Sequence, residues 1–365
     1  MKVAFRADAS PKIGTGHIMR CLTLANGLAA RGHDCCFFVR SQPGDHIDHI
    51  RNCGFPVYEV HRTSHETGFS ESETPYLSWL GCTPAEDARA CQKAISQIKP
   101  DWIVLDHYSL DSSWTSTINS DAKALVIDDL ANRTHDCDIL LDQTLGRASA
   151  DYSSLVPNHC NILCGAEYAL LRPEFSDLRS YSINRRKNRK IKTILISLGG
   201  VDKDNITGKI INALASTEFV HDCHFVVILG SSSPWIEEIK SELDAFPGSS
   251  ELQINVTKMA ALMAESDLAI GAGGSTSWER CCLGLPTIMI VLAENQRKVA
   301  FELEQYGAVV LIKELTRIQD ELKELYTRIS SSNMVEKLSK KSSEVTDGKG
   351  CSKVIKVMEV YSKAN

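Results

Sequence analysis

The first residues that could do chemistry lie in a glycine-rich segment near the N-terminus. Gly14 and Gly16 lie just before His17, in the segment that joins the first apolar run to a helical pattern. Such glycines let a ligand approach the backbone, and a helix start offers unpaired N–H groups and partial positive charge to a phosphate or sugar oxygen. The same dipole favours a neutral imidazole, so His17 is predicted to be a general base. An ordinary glycine turn and a turn-capping histidine are the structural alternatives.

A second glycine-rich segment occupies residues 271–279. Its candidate ligand residues are Gly273, Gly274, Ser275, Thr276 and Glu279. Two anion-binding loops in separate parts of a chain suit a diphosphate, and a carboxylate at position 279 can accept hydrogen bonds from two ribose hydroxyls. The spacing of Thr276 and Glu279 also fits a capping box, which is the structural alternative.

Two further segments complete the candidate set. Gly199 and Gly200 form a third glycine turn after an apolar run. Asn295 and Gln296 follow another apolar run, and their carboxamides can both donate and accept, as a polyhydroxylated or acetamido ligand requires. A helix cap is the alternative for these two residues.

Other familiar motifs are disfavoured. The GxGxxG pattern fails because Met19 occupies the third glycine position and Arg40, not an acid, ends the second predicted strand, so dinucleotide binding is not expected. GxxxxGK[ST], GxSxG and HExxH do not occur. The histidines beside acids and cysteines at 45–49 and 221–224 are typical of ordinary surface, and we predict neither a metal nor a cofactor.

Composition narrows the class of protein. The chain has 365 residues, 43% hydrophobic and 24% charged, with a formal net charge of −6, so a nucleic-acid partner is not expected. Its longest strongly apolar stretch, 285–293, is too short for a membrane helix, and charged residues interrupt any secretory signal at the N-terminus. The thirteen cysteines show no CxxC spacing, which predicts reduced thiols and a cytoplasmic protein.

The elements that must position these residues alternate along the chain. Short apolar runs are followed by stretches of helical period, a rhythm typical of a parallel sheet flanked by helices. The pattern breaks at 176–192, which is polar, strongly basic and without apolar periodicity. We therefore predict two doubly wound α/β domains facing a cleft: 1–175, then a basic linker at 176–192, then 193–345, with a terminal helix at 346–365.

The motifs resemble a known family. The blocks FRADASPKIGTGHIMRCLTLA, DHYSLDSSW, VIDDLANRTHDCDILLDQ, YALLRPEF, ISLGGVDKDN and GAGGSTSWERCCLGLPTIMIVLAENQ are similar to the UDP-2,4-diacetamido-2,4,6-trideoxy-β-L-altropyranose hydrolases of pseudaminic acid biosynthesis. These blocks span residues 5–296, most of the chain. The resemblance implies a GT-B architecture of two Rossmann-like domains and metal-independent release of UDP and the free diacetamido sugar, a precursor for glycosylation of flagellin or surface glycans.

The resemblance also implies roles for individual residues. It makes His17 the catalytic residue and Arg172 a substrate contact. It assigns diphosphate and ribose binding to the second glycine loop with Glu279. By similarity to the wider GT-B group, uracil packs near Val256 and Met259, and Asn295 with Gln296 holds the sugar.

The expected chemistry is inverting C–O cleavage, in which His17 deprotonates a water that attacks the anomeric carbon. A single base suffices because UDP leaves as a stable anion. Two alternatives remain open from the sequence: a glycosyltransferase that uses an acceptor hydroxyl, and a nucleotide-sugar binding module without catalysis. The accepted stereoisomer and the oligomeric state do not follow from the sequence.

Overall fold

The computed structural model describes residues 1–61, 76–187, 190–200, 202–330 and 333–363. These residues form two compact α/β units. Unit 1 combines Met1–Leu170 with the chain from Gly350 onward, and unit 2 comprises Leu171–Lys349.

The strands alternate with helices in both units. In chain order the strands are β1 (Lys2–Ala7), β2 (Asp34–Arg40), β3 (Val57–Val60), β4 (Trp102–Asp106), β5 (Lys123–Ile127), β6 (Ile139–Asp142), β7 (Asn161–Cys164), β8 (Thr193–Ser197), β9 (His224–Leu229), β10 (Ser249–Ile254), β11 (Leu268–Ala272), β12 (Thr287–Ile290) and β13 (Val310–Ile312). The α-helices are α1 (Gly16–Ala29), α2 (Ile47–Asn52), α3 (Leu77–Leu80), α4 (Pro84–Ile98), α5 (Ser112–Thr117), α6 (Pro173–Arg185), α7 (Ile206–Ala215), α8 (Ile236–Asp244), α9 (Met259–Glu265), α10 (Thr276–Cys282), α11 (Arg297–Tyr306), α12 (Ile318–Ser330), α13 (Met334–Val345) and α14 (Gly350–Lys363).

Unit 1 is built on a parallel sheet in the order β3-β2-β1-β4-β5-β6-β7. The strand order reverses between β1 and β4, which lie side by side with Ala7 opposite Asp106 at their carboxyl ends. In open α/β sheets such a switch point leaves a crevice where ligands bind. Catalytic side chains in unit 1 are therefore expected at the ends of β1 and β4.

The C-terminal helix α14 packs into the core of unit 1. Val354, Ile355 and Met358 are fully buried there. Gly27 on α1 permits this close approach, because a Cβ at that position would lie 2.8 Å from the Ile355 side chain. The chain therefore returns to unit 1 after completing unit 2.

Unit 2 repeats the architecture, with a parallel sheet in the order β10-β9-β8-β11-β12-β13. Its switch point lies between β8 and β11, where Ser197 is opposite Gly271. The glycine turn after β8 and the glycine loop after β11 are thus brought to adjacent strand ends. These two loops are far apart in sequence, and the sheet order alone makes them neighbours.

The prediction of an exposed linker at 176–192 is wrong for the described residues. Much of this segment belongs to helix α6, and Ser182 and Arg186 are buried. Arg186 donates to the carbonyls of Ser266 and Leu283 at 2.8 and 2.7 Å. In the sequence, basic side chains that donate to buried carbonyls cannot be distinguished from basic side chains that face solvent. The basic composition of this segment therefore led to the wrong prediction of an exposed linker.

Two edge strands, β3 and β7, were not predicted. Both contain only four residues, and each has a single buried position. An edge strand with partly exposed faces lacks the continuous apolar run that marks a buried parallel strand. The terminal helix begins at Gly350, four residues after the predicted boundary at 346.

Candidate active site

The loop that precedes α1 in unit 1 presents His17. Gly14 has a φ of +77°, in the left-handed region that glycine adopts without strain, and its N–H donates to the Ser10 carbonyl at 2.8 Å. Gly16 begins the helix, and Thr15 at the N-cap makes no side-chain cap bond. His17 therefore lies in the first turn, with its side chain 7% exposed.

His17 is hydrogen-bonded to Asp106, the last residue of β4. The Nδ1 atom of His17 lies 2.6 Å from Oδ1 of Asp106. Burial alone would raise the pKa of Asp106, but the charges and hydrogen bonds of Arg20 and His17 together outweigh it and hold that pKa well below the usual range. Because the carboxylate is ionised, we assign the Nδ1 hydrogen to this bond, which leaves the Nε2 lone pair free to accept a proton.

Arg20 lies three residues after His17, on the same face of helix α1. Its guanidinium binds the Asp106 carboxylate that also contacts His17. Its Nε and Nη2 atoms approach the two oxygens of Asp106 at 2.6 Å each. Its Nη1 atom donates to Oδ2 of Asp129 at 3.1 Å. Bidentate pairing of this kind fixes the orientation of a carboxylate as well as its charge. Asp106 is thus held in the position that orients His17.

The residues behind Arg20 extend this network. Arg147 donates to the Asp129 carbonyl at 2.9 Å and to the Asp142 carboxylate at 2.7 Å. Asp129 and Asp142 come from the segment VIDDLANRTHDCDILLDQ, for which the sequence suggested no role. In the structure Asp129 contacts Arg20 directly, and Asp142 holds the Arg147 side chain that contacts the Asp129 backbone.

Aromatic side chains confine the imidazole. The ring of Tyr108 meets His17 edge to face, with 4.7 Å between centroids. Trp79 stacks on Tyr108 at 5.7 Å. A rigid wall of this type restricts rotation of the base and provides apolar surface beside it.

In unit 2 the glycine loops meet at the switch point. Gly199 follows β8 with a φ of +105°, and Gly200 lies so close to the next loop that a Cβ on Gly230 would be 2.2 Å from its carbonyl oxygen. After β11, Gly273 and Gly274 lead to Ser275 and the first turn of α10. Adjacent strand ends thus carry two backbone segments that a phosphate can approach.

The capping-box alternative for Thr276 and Glu279 is wrong. Ser275 occupies the N-cap without a side-chain cap bond, and Thr276 lies inside the helix, where its hydroxyl accepts from Arg280 at 3.2 Å. Glu279 is consequently free of a capping role. Its carboxylate lies 3.8 Å from the Arg172 guanidinium.

Burial makes the carboxyl group of Glu279 a weaker acid than usual. Desolvation raises its pKa to about 7, although Arg172 and Arg280 act in the opposite direction. The side chain is still 18% exposed and Arg172 is 32% exposed, so both can reach a ligand. The ionised form of this carboxyl group, which prevails above that pKa, is the form that accepts hydrogen bonds from hydroxyls at both oxygens.

The remaining predicted residues of unit 2 lie at the same edge of its sheet. Gln296 lies beside Gly273, and its Oε1 atom accepts from the Leu292 N–H at 3.0 Å, while Asn295 is exposed. Val256 and Met259 are half-buried in the segment that follows β10. Since β10 lies three strand positions from β11, about 14 Å separates these strands, a span comparable to an extended nucleoside diphosphate.

Sequence reasoning missed Asp106, Arg20 and Asp129. Their motif blocks were recognised, but Arg20 and Asp106 are 86 positions apart in the sequence, and only the folding of the sheet brings them into contact. An acid that directly follows a buried apolar run is the one signal that marks Asp106 as a strand-end residue. Within the described ranges, no three His, Cys, Asp or Glu side chains cluster as metal ligands, and no helix is long and apolar enough to cross a membrane.

Comparisons with known proteins agree with this architecture. Residues 194–353 match the glycosyltransferase family 28 C-terminal domain. The chain is 29% identical over 82% of its length to an uncharacterized protein of Methanocaldococcus jannaschii, of which it spans only 57%. It is also 29% identical, over 86% of its length, to the UDP-2,4-diacetamido-2,4,6-trideoxy-beta-L-altropyranose hydrolase of Campylobacter jejuni, which it covers completely at 100%.

Among solved structures, MurG of Acinetobacter baumannii is similar with a TM-score of 0.71 at 15% identity, covering 98% of this chain and 99% of that one. This likeness confirms the predicted fold class, two Rossmann-like α/β units of the GT-B kind. Identity to a curated hydrolase over most of the chain indicates that the protein is an enzyme. Most of the second unit therefore matches the glycosyltransferase family 28 C-terminal domain, and the resemblance of most of the chain to the UDP-diacetamido-trideoxy-altropyranose hydrolase family is confirmed.

Proposed function

We propose that this protein hydrolyses UDP-2,4-diacetamido-2,4,6-trideoxy-β-L-altropyranose to UDP and the free sugar, a step in making pseudaminic acid for surface glycans. The observation that carries the proposal is the hydrogen bond between His17 and Asp106 at the switch point of unit 1. This hydrogen bond occupies Nδ1 of His17 and leaves its Nε2 atom as the base, beside the aromatic side chains of Tyr108 and Trp79. The similarity to the Campylobacter hydrolase supports the substrate class.

The proposal assigns a role in substrate binding to the predicted residues of each unit. In unit 2, the glycine loops after β8 and β11 take the diphosphate, and Glu279 accepts hydrogen bonds from the ribose. Val256 and Met259 pack against uracil. Arg172 contacts the substrate, Asn295 and Gln296 hold the acetamido sugar, and Gly14 and Gly16 of unit 1 let the sugar approach the backbone beside His17.

The reaction follows from the base. His17 Nε2 removes a proton from water while the water oxygen bonds to the anomeric carbon from the face opposite UDP. The bond from that carbon to the phosphate oxygen breaks, and its electron pair leaves with UDP, which inverts the configuration. The Asp106 carboxylate stabilises the imidazolium that forms, and backbone N–H groups of the glycine loops stabilise the growing charge on UDP.

Replacement of His17 tests this mechanism. We expect His17→Ala to lower kcat on the order of 10²–10⁴-fold, because it removes the base while leaving the binding loops intact. UDP affinity, measured by calorimetry, should change little. The exposed His49→Ala is the matched control and should keep full activity. Near-normal turnover by the His17 variant would refute the assignment.

Labelled water tests the bond that breaks. With ¹⁸O-water, C–O cleavage places the label in the sugar, whereas attack at phosphorus places it in UDP. Label in UDP would contradict the mechanism even if hydrolysis is observed.

A glycosyltransferase is the second candidate, favoured by the match to a glycosyltransferase domain family. It would use the same base on an acceptor hydroxyl. Incubation with the UDP-sugar alone separates the two, because only a hydrolase releases stoichiometric UDP without an acceptor. Multiple turnovers in that assay would also exclude a silent binding module.

A further inference from the structure

Two cysteine thiols face each other at the edge of the unit 1 sheet where β6 and β7 begin. Cys137 lies two residues before β6, and Cys160 directly precedes β7. Their Sγ atoms are 3.6 Å apart. The strands are paired in register, Ile139 opposite Asn161, and the N–H of Asn161 donates to the Asp138 carbonyl at 2.8 Å. The backbone therefore holds the two sulfur atoms about 1.5 Å from bonding distance.

The two thiols differ in exposure. Cys160 is partly exposed, whereas Cys137 is 2% exposed. A cavity of about 160 Å³ lies beside the pair, and its lining includes Cys137, Asp136 and the exposed His159. The exposed surface of Cys160 lets a small oxidant reach the pair from solvent, whereas the cavity meets Cys137 and not Cys160. This combination, one reachable thiol with a partner directly behind it, is the arrangement of a redox-sensitive cysteine and its resolving cysteine.

We propose that Cys137 and Cys160 are a peroxide-sensitive thiol pair that closes to a reversible disulfide. This site is independent of the proposed hydrolase activity.

The chemistry assigns a role to each sulfur atom. Cys160 is the more exposed of the two thiols, so we assign it as the sulfur that meets the oxidant. Either sulfur atom can donate in the contact between them, and the hydrogen bond shared with Cys137 lowers the pKa of Cys160, which favours its thiolate. The thiolate attacks one peroxide oxygen and the O–O bond breaks. The departing hydroxide takes up the proton that the Cys160 thiol released, which gives water and a sulfenic acid on Cys160. The Cys137 sulfur then attacks that sulfenic sulfur and expels a second water, forming the disulfide. Two thiols are oxidised and one peroxide is reduced to two waters.

The other cysteines provide a contrast. Burial raises the pKa of Cys36, Cys91 and Cys281, which keeps these thiols protonated. The exposed Cys53 has no thiol partner among the described residues. The pair at 137 and 160 is therefore expected to oxidise within the molecule, and Cys53 to react only between molecules.

The disulfide would close the segment that contains Asp142, Arg147 and Tyr152. It lies where β6 and β7 begin, whereas His17 and Asp106 lie at the opposite, carboxyl edge of the sheet. Crosslinking there restricts the unfolded chain without moving the base. We thus expect oxidation to raise the midpoint of thermal unfolding by several degrees.

Mass spectrometry of the native full-length protein tests the proposal. The protein is treated with a small molar excess of hydrogen peroxide, alkylated and digested without reductant. We expect two of the thirteen thiols to disappear and a peptide linking Cys137 to Cys160 to form, reversed by dithiothreitol. Cys53→Ser is the matched control and should form the same linked peptide.

Single variants identify the roles. Cys137→Ser should accumulate a dimedone-reactive sulfenic acid at Cys160, whereas Cys160→Ser should leave Cys137 reduced. A treated wild-type protein that shows no linked peptide, or that carries sulfinic acid at Cys160 instead, would overturn the proposal. A linked peptide that forms only after denaturation would do so as well.

Discussion

At the residue scale, the proposed role of His17 as a base depends on its other ring nitrogen being occupied. The 2.6 Å bond to Asp106 selects the tautomer and keeps the ring in place, while Arg20 holds the carboxylate ionised. A histidine in the same loop without these partners would rotate and exchange tautomers. The acid and the arginine are therefore as much a part of the proposed machinery as the base itself.

Asp106→Asn should lower kcat by about 10²-fold or more, because an amide no longer selects the Nδ1 tautomer or stabilises the imidazolium. KM for the UDP-sugar should change little, since the binding loops lie elsewhere. Steady-state kinetics over a range of pH measures both constants. The exposed Asp121→Asn is the control. Wild-type kcat in the Asp106 variant would show that the carboxylate has no orienting role.

Glu279 should make nucleotide-sugar binding depend on pH. With a pKa of about 7, its carboxyl group is mostly protonated at pH 6 and mostly ionised at pH 8, and the ionised form accepts both ribose hydroxyls. Affinity for the UDP-sugar should therefore rise by up to about 10-fold as pH increases through this range.

Calorimetry on the non-hydrolysing His17→Ala variant measures this effect without turnover. The UDP-sugar is the right probe because its diphosphate has no terminal phosphate that titrates near pH 6. Adding Glu279→Gln should weaken binding at pH 8 and flatten the profile. An unchanged slope in the double variant would assign the pH dependence to another group.

At the element scale, the basic helix α6 shows how charged residues can serve a core. Arg186 is 1% exposed and donates to carbonyls of Ser182, Met263, Ser266 and Leu283. Burial and the neighbouring Arg185 lower its pKa to about 9, and within the described part of the chain no carboxylate pairs directly with it. The guanidinium acts as a hub that satisfies backbone groups from α6, α9 and the turn after α10.

Arg186→Met should therefore destabilise unit 2 by about 3 kcal/mol or more, because several buried carbonyls lose their donor at once. Urea denaturation followed by circular dichroism measures the loss. The adjacent, exposed Lys187→Met should change the free energy of unfolding by less than about 0.5 kcal/mol. Equal effects of the two substitutions would mean that Arg186 is not a hub.

At the scale of the whole molecule, the chain leaves unit 1 at Leu170 and returns to it at Gly350. Helix α14 fills the core of unit 1 with Val354, Ile355 and Met358, and Ser362 accepts a hydrogen bond from the Trp102 ring N–H at 2.8 Å. The end of the sequence thus stabilises its beginning.

Truncation after Lys349 should destabilise unit 1 and leave unit 2 nearly unchanged. Each of the three buried side chains contributes about 1.5–3 kcal/mol, so their loss is comparable to the stability of a domain. Hydrogen exchange resolved by peptide should show faster exchange in β1, β2 and α1. The full-length Val360→Ser variant is the control, because Val360 is 64% exposed. Faster exchange confined to unit 2 would contradict this assignment.

The sequence by itself determined the alternation of strands and helices, the glycine loops and the position of His17. These are local properties. The periodicity of apolar residues, the conformational freedom of glycine and the identity of a motif all depend on residues that are close together in the sequence. Helix α6 and the edge strands β3 and β7 were missed because their burial is set by the elements that pack against them and not by an apolar pattern in their own sequences. Only the tertiary structure decided that Asp106 and Arg20 meet His17, and that Glu279 is partly buried rather than a cap. Strand order and desolvation set these features, and both arise from contacts between residues distant in the chain.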